Sequence, residues 1–185
     1  MRLVILGGPG AGKSTQAQRL CDRLQIPLIS MGATLREAIA TQTPLGQECQ
    51  SYVEKGELVP DRILIAFIRD RLLQPDISSG WLLEGYPRTA FQAEELDFLL
   101  DELNQRLTQA IFLKVSPSIM MERRLQMSEI DDRPELIQRR IDLFQSRTLP
   151  ILDYYGRRQR LLTVDGDRDP EQVFADLNSQ LQPRY

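Results

Sequence analysis

Histidine is missing from the 185 residues, and cysteine occurs only twice, at Cys21 and Cys49. No imidazole base can therefore take part in catalysis, and no His/Cys zinc site with the usual spacing can form. The two cysteines stand far apart in stretches of helical pattern, which predicts reduced thiols and a cytoplasmic setting. No apolar run approaches the roughly 20 residues of a membrane span. The first apolar run, Leu3-Val4-Ile5-Leu6, starts almost at once and reads as a buried strand, so no leader is expected. Neither charge sign dominates: 23 Lys and Arg stand against 26 Asp and Glu, for a net charge of −3. That balance speaks against a nucleic-acid or membrane partner. No repeat, low-complexity tract or long linker divides the chain, and its length fits one domain.

What is present begins with Gly7-Gly8-Pro9-Gly10-Ala11-Gly12-Lys13-Ser14, followed by Thr15-Gln16-Ala17-Gln18-Arg19-Leu20. The spacing is that of the phosphate loop G-x-x-x-x-G-K-[ST], set between a strand and a helix as such a loop requires. Glycines let successive backbone N–H groups turn into one concavity that cradles phosphate oxygens. The helix beginning near Lys13 adds the positive end of its dipole. Gly8, Pro9, Gly10, Ala11, Gly12, Lys13, Ser14 and Thr15 are thus the expected ATP-binding residues. Lys13 supplies charge for the β- and γ-phosphates, and the Ser14 hydroxyl is placed for Mg²⁺.

Strand-like runs recur at 2–6, 27–30, 80–83, 110–115 and 161–164, separated by stretches of helical period. That alternation predicts an α/β fold with a five-stranded parallel sheet wrapped by helices. Prolines after capping residues mark helix starts, most clearly at Ser116-Pro117 and Asp169-Pro170. The longest helical pattern begins at Pro134, and Pro150 is expected to bend it. Two segments interrupt the alternation. Residues 31–59 carry two short helical patterns broken at Thr43-Pro44 and Lys55-Gly56, and residues 124–132 are charged and poor in apolar residues. Both are expected above the phosphate loop, where connections leaving the carboxyl ends of strands line the crevice of such sheets.

A second informative stretch is Gly80-Trp81-Leu82-Leu83-Glu84-Gly85-Tyr86-Pro87-Arg88-Thr89. Glu84 ends a buried strand, where a carboxylate can hold water of a Mg²⁺ shell. Arg88 follows in the turn, where its fork can clamp a phosphate.

Over nearly its whole length the chain resembles the adenylate kinases, within the nucleoside-monophosphate kinases. The resemblance rests on residues 7–16, Ser30 to Arg36, Gly56-Glu57-Leu58-Val59-Pro60-Asp61, Glu84 to Thr89 with Gln92, Asp131-Asp132, and Val164-Asp165-Gly166. It implies reversible phosphoryl transfer from MgATP to AMP by a P-loop NTPase-type single domain. The core would comprise 1–30, 60–123 and 133–185, with an NMP-binding insertion at 31–59 and a short lid at 124–132. It implies Mg²⁺ bound with ATP through Ser14 and Glu84, no structural zinc, and a monomer acting on ATP and AMP or ADP. Lys13, Arg88 and Arg140 would be catalytic, and Arg123 would lie against the ATP base. Met31, Arg36, Glu57, Leu58, Val59, Gly85, Arg88 and Gln92 would bind AMP, with Arg36 and Arg88 on its phosphate and Gln92 on its adenine edge.

The chain also departs from that family. Met31 and Ala33 replace a usual Thr and Asp, and Glu84 replaces a usual Asp. Met127 and Glu129 stand where two phosphate-contacting arginines are expected. Two alternatives therefore stay open: a kinase for another nucleoside monophosphate, and a nucleotide-binding protein with vestigial catalysis.

Overall fold

The structure, a computed structural model, describes residues 1–127 and 133–181. At its centre is strand β1 (Arg2–Leu6), in which Leu3, Val4, Ile5 and Leu6 are all buried. It lies between β3 (Trp81–Glu84) and β4 (Gln109–Lys114), with β2 (Leu28–Ser30) and β5 (Leu161–Asp165) at the two edges. All four pairings are parallel, in the order β2-β3-β1-β4-β5. Helices cover both faces of such a sheet, which is why its inner strands read as continuous apolar runs. Each predicted strand is present within a residue or so of its expected limits.

Helices α1 (Lys13–Leu24), α2 (Met31–Ala40), α3 (Pro44–Glu54), α4 (Asp61–Leu72) and α5 (Ala90–Glu102) lie in the first half. They are followed by α6 (Pro117–Met127), α7 (Pro134–Leu143), α8 (Pro150–Arg157) and α9 (Pro170–Gln180). The proline starts behave as expected. Thr43 caps α3 by accepting from the Gly46 N–H at 3.1 Å, and Asp169 caps α9 by accepting from the Glu171 N–H at 2.8 Å. Proline costs nothing there, because a first-turn N–H has no partner inside the helix.

Pro150 acts differently from a simple bend. Phe144–Thr148 form a π turn between α7 and α8, and the Leu149 N–H donates to the Phe144 carbonyl five residues back, at 3.0 Å. A proline ring clashes with the carbonyl four residues before it. Widening the turn by one residue relieves that clash without ending the helical path.

Chain order reverses about β1, so the carboxyl ends of β1 and β3 open the crevice where ligands bind in doubly wound sheets. Register brings Ile5 opposite Glu84, and Glu84 opposite Ser30. The phosphate loop, the end of β3 and the start of α2 therefore meet. Helices α2 and α3 pack chiefly on each other, and α2 also touches β3.

Candidate active site

The loop after β1 is built around its glycines. Gly10 and Gly12 hold φ of 73° and 83°, a left-handed region that residues with a side chain rarely adopt. A Cβ on Gly10 would also stand 2.6 Å from the Met120 carbonyl and 3.2 Å from Cγ of Arg124. The loop is thus packed under α6, and the stem of Arg124 leans on its crown. Lys13 opens α1 and folds back, its Nζ donating to the Gly8 carbonyl at 2.7 Å. Burial pushes the Lys13 pKa down to about 8; the Glu84 charge opposes this, while Arg88 and Arg124 add to it.

Glu84 is buried at the end of β3 and shared between two hydroxyls. Ser14 donates to Oε1 at 2.6 Å, and Ser30 donates to Oε2 at 3.0 Å. A carboxylate one methylene longer than the expected Asp can span from α1 to the N-cap of α2. This gives Ala33 a plain setting: the Ser30 side chain caps α2 by accepting from the Ala33 N–H.

Arg88 projects from the turn after β3, its Nε donating to the Gly85 carbonyl at 2.9 Å. The residue is exposed, yet its guanidinium faces a crowded cleft. Desolvation there lowers its pKa against the pull of Glu84, and Arg140 lowers it further. Thr148, in the π turn, donates to the Arg88 carbonyl at 2.9 Å and so ties this turn to α7 and α8. Arg140 reaches in from α7, its Cγ 3.6 Å from where a Cβ on Gly56 would stand. Lys13 and Arg88 thus both feel the Glu84 charge and each other's, and Arg140 acts on Arg88, although the four come from separate elements.

The other expected residues are spread around this centre. A Cβ on Gly85, which holds φ 84°, would stand 3.2 Å from the Met31 Cβ and 3.7 Å from the Arg88 guanidinium, and Met31 itself is buried. Arg36 is exposed on α2, its guanidinium 3.3 Å from where a Cβ on Gly32 would stand. Glu57 pairs with Arg139 of α7 at 2.8 Å; Leu58 is half-buried and Val59 is buried. Arg123 gives its fork to the loop after β5, donating to the Gly166 carbonyl at 2.9 Å and to those of Asp167 and Arg168 at 3.4 Å. Its planar faces are left uncommitted by these bonds.

Gln92 differs most from the expectation of a side chain open to a nucleobase. It is fully buried, with Oε1 accepting from the Arg88 N–H at 2.7 Å and Nε2 donating to Asp61 Oδ1 at 2.5 Å. Half of its amide capacity is already used. Asp61, Ser30 and Thr148 are therefore supporting residues; Ser30 and Asp61 belong to stretches that carry the resemblance but have no role assigned there, and Thr148 lies outside every motif. In the sequence Asp61 closes the run from Gly56 and follows Pro60 at a helix start, with nothing to indicate Gln92 as its partner.

In the segment 124–132, Met127 ends α6 with its side chain exposed, and an Arg124 guanidinium nitrogen lies 3.9 Å from its sulfur. Glu129, Asp131 and Asp132 lie outside the described residues. Cys21 and Cys49 are both buried and unpaired.

A family model described as adenylate kinase matches residues 5–160. The chain is 59% identical to a protein from Nostoc sp. named adenylate kinase 2, over 96% of each chain. It is 56% identical to a Synechocystis sp. protein of the same name, over 94% of this chain and 96% of that one. A Cyanothece sp. protein named adenylate kinase is 44% identical over 98% of this chain.

Proposed function

The chain belongs to the adenylate kinase family and is an ATP:AMP phosphotransferase, and we propose that Lys13, Arg88 and Arg140 are the residues that carry its reaction. The observation that carries this reading is that Lys13 and Arg88 both face Glu84, with Arg140 beside Arg88, in a chain of net negative charge. Desolvated like charges held together are costly unless a polyanion enters between them.

In the proposed roles, residues 8–15 cradle ATP, with Lys13 on the β- and γ-phosphates and a planar face of Arg123 against the base. Arg36 and Arg88 hold the AMP phosphate, while Met31, Glu57, Leu58, Val59, Gly85 and Gln92 surround the acceptor nucleoside. Arg140 spans the two phosphate groups. An oxygen of the AMP phosphate attacks the γ-phosphorus in line, and the bond to the β-γ bridging oxygen breaks, leaving two ADP. The attacking oxygen is already anionic, because a phosphate monoester has its second pKa near 6. No base is needed, which suits a chain without histidine, and catalysis is positioning and charge stabilisation.

Adenylate kinases use Mg²⁺ with ATP. Ser14 and Glu84 offer hard oxygen donors side by side, which fits an ion that favours oxygen and keeps much of its water. These two residues would hold it, and the bound ion would neutralise charge on the β- and γ-phosphates. The proposed enzyme works as a monomer, with residues 31–59 as the AMP-binding insertion and 124–132 as a short lid. The two unpaired cysteines support a cytoplasmic location.

The test is coupled ADP formation from MgATP with AMP, UMP, CMP and GMP as acceptors. AMP should be strongly preferred. Lys13→Ala should abolish turnover while leaving the fold intact, and Arg88→Ala should raise KM for AMP and lower kcat together. Near-normal turnover in either variant would remove that residue from the site.

A further inference from the structure

We propose that Asp61 sets the base preference of the acceptor site by locking the side-chain amide of Gln92 in one orientation. The inference rests on the reading above that Gln92 faces the acceptor base. Two partners hold the amide, and they are chemically opposite. The Arg88 backbone N–H can only donate, so it must meet the carbonyl oxygen Oε1, at 2.7 Å. The Asp61 carboxylate can only accept, so it must meet the amide nitrogen Nε2, at 2.5 Å. Turning the amide over would set oxygen against carboxylate and NH₂ against N–H. Gln92 is fully buried, so no water would repair either loss.

The surroundings hold both partners still. Arg88 is fixed through its Nε bond to Gly85 and the Thr148 bond to its carbonyl. Asp61 sits in the first turn of α4, directly after Pro60. Thr89 accepts from the Gln92 N–H at 3.1 Å, and the Tyr86 hydroxyl donates to the Gln92 carbonyl at 3.3 Å.

A locked amide keeps one lone pair on Oε1 and one hydrogen on Nε2, in an order that cannot invert. The six-membered ring of adenine offers an amino donor beside a ring-nitrogen acceptor, which such an amide can pair. Hypoxanthine offers an oxygen acceptor beside a ring N–H donor, the reverse order. Pairing it demands the flipped amide that Asp61 forbids. A buried polar site left mismatched rejects an analogue far more strongly than an apolar pocket does. Asp61 is on this account a positioning residue that acts through Gln92. It also explains how adenine can be selected where Met31 has no hydroxyl to address the base.

The experiment compares AMP with inosine monophosphate, which differs only at that edge, in the wild type, Asp61→Asn, Asp61→Glu and Gln92→Ala. Asparagine can donate as well as accept, so one of the two locks is released. Asp61→Asn should lower the AMP-over-IMP ratio of kcat/KM by about fivefold or more, with part of the change an absolute gain for IMP. Asp61→Glu keeps the carboxylate and should retain most of the ratio. Should Asp61→Asn fail to fold, Asp61→Ser carries the same comparison. A Gln92→Ala enzyme with unchanged KM for AMP would remove Gln92 from the base site, and the underlying reading with it. If Gln92→Ala raises that KM while Asp61→Asn slows both acceptors equally, Asp61 is merely structural and the proposal is overturned. Equal loss of the ratio in Asp61→Glu and Asp61→Asn would overturn it too.

Discussion

Lys13 is the residue whose environment makes the sharpest demand on solution behaviour. Its pKa, pushed down to about 8 chiefly by burial, puts loss of its charge within reach of ordinary assays. Because kcat/KM reports the free enzyme, the value for ATP should fall as pH rises through about 8. Arg124 contributes to the depression, so Arg124→Ala should move that falling limb to higher pH. The stability consequence has a definite sign. Between about 8 and the ordinary lysine value of 10.5, the unfolded chain holds a proton that the native protein has lost. Stability contributed by this residue therefore rises with pH across that window. Melting temperatures of the wild type and Lys13→Met should converge, or cross, from pH 8 to pH 10. A pH-independent kcat/KM for ATP between pH 7 and 9 would remove the desolvated lysine from this account.

Helix α6 shows what an element contributes beyond its motif residues. Its middle packs Met120 over the phosphate loop, Arg123 fastens the loop after β5, and Arg124 leans on Gly10. Its last residue is the exposed Met127, where a phosphate-contacting arginine is expected. An arginine acting on a transferring phosphoryl group can be worth roughly 10³ to 10⁵ in rate. Met127→Arg combined with Glu129→Arg should therefore raise kcat several-fold. The first change also puts a cation at a helix C-terminus, favourable by about 0.3–1 kcal/mol, so folding should not suffer. Arg124 lies three residues before Met127, on a neighbouring part of the same face, and is placed to supply some of the missing charge. Arg124→Ala should lower kcat. If the double arginine variant is no faster and Arg124→Ala is neutral, the end of α6 does not limit the reaction.

At the scale of the whole molecule, the sheet and the segment 31–59 are held very differently. The inner strands β1, β3 and β4 are buried on both faces, whereas α2 and α3 rest chiefly on each other. The Glu57–Arg139 pair that joins this segment to α7 is largely exposed, and such pairs contribute little. Closing over bound nucleotides should thus cost the segment little while excluding water that would otherwise hydrolyse ATP. A dinucleotide joining adenosine groups through a polyphosphate spans both halves of the proposed cleft. It should bind much more tightly than ATP or AMP alone. It should also lower the radius of gyration in scattering and slow amide exchange in α2 and α3, with the strand amides unchanged. An unchanged radius and exchange pattern would mean that the segment does not close.

The amino-acid sequence determined the features that depend on local chemistry. Gly10, Gly12, Lys13 and Ser14 in one short run admit a single use, because left-handed glycines, a lysine and a helix start create a phosphate cradle wherever they fold together. Strand limits were legible because strands covered on both faces must be continuously apolar, and proline fixed the helix starts because only a first turn tolerates it. What the tertiary structure alone decided concerns pairs far apart in the chain. Ser14 and Ser30 share Glu84 only because parallel register aligns β1, β2 and β3 at their carboxyl ends. Asp61 meets Gln92 across 31 residues, with no local pattern to announce it. Nothing local, likewise, converts Pro150 from a bend into a π turn whose Thr148 steadies Arg88. A hydrogen bond between side chains on different elements leaves no trace in periodicity or spacing. It exists only once packing has brought a donor and an acceptor to the same buried place.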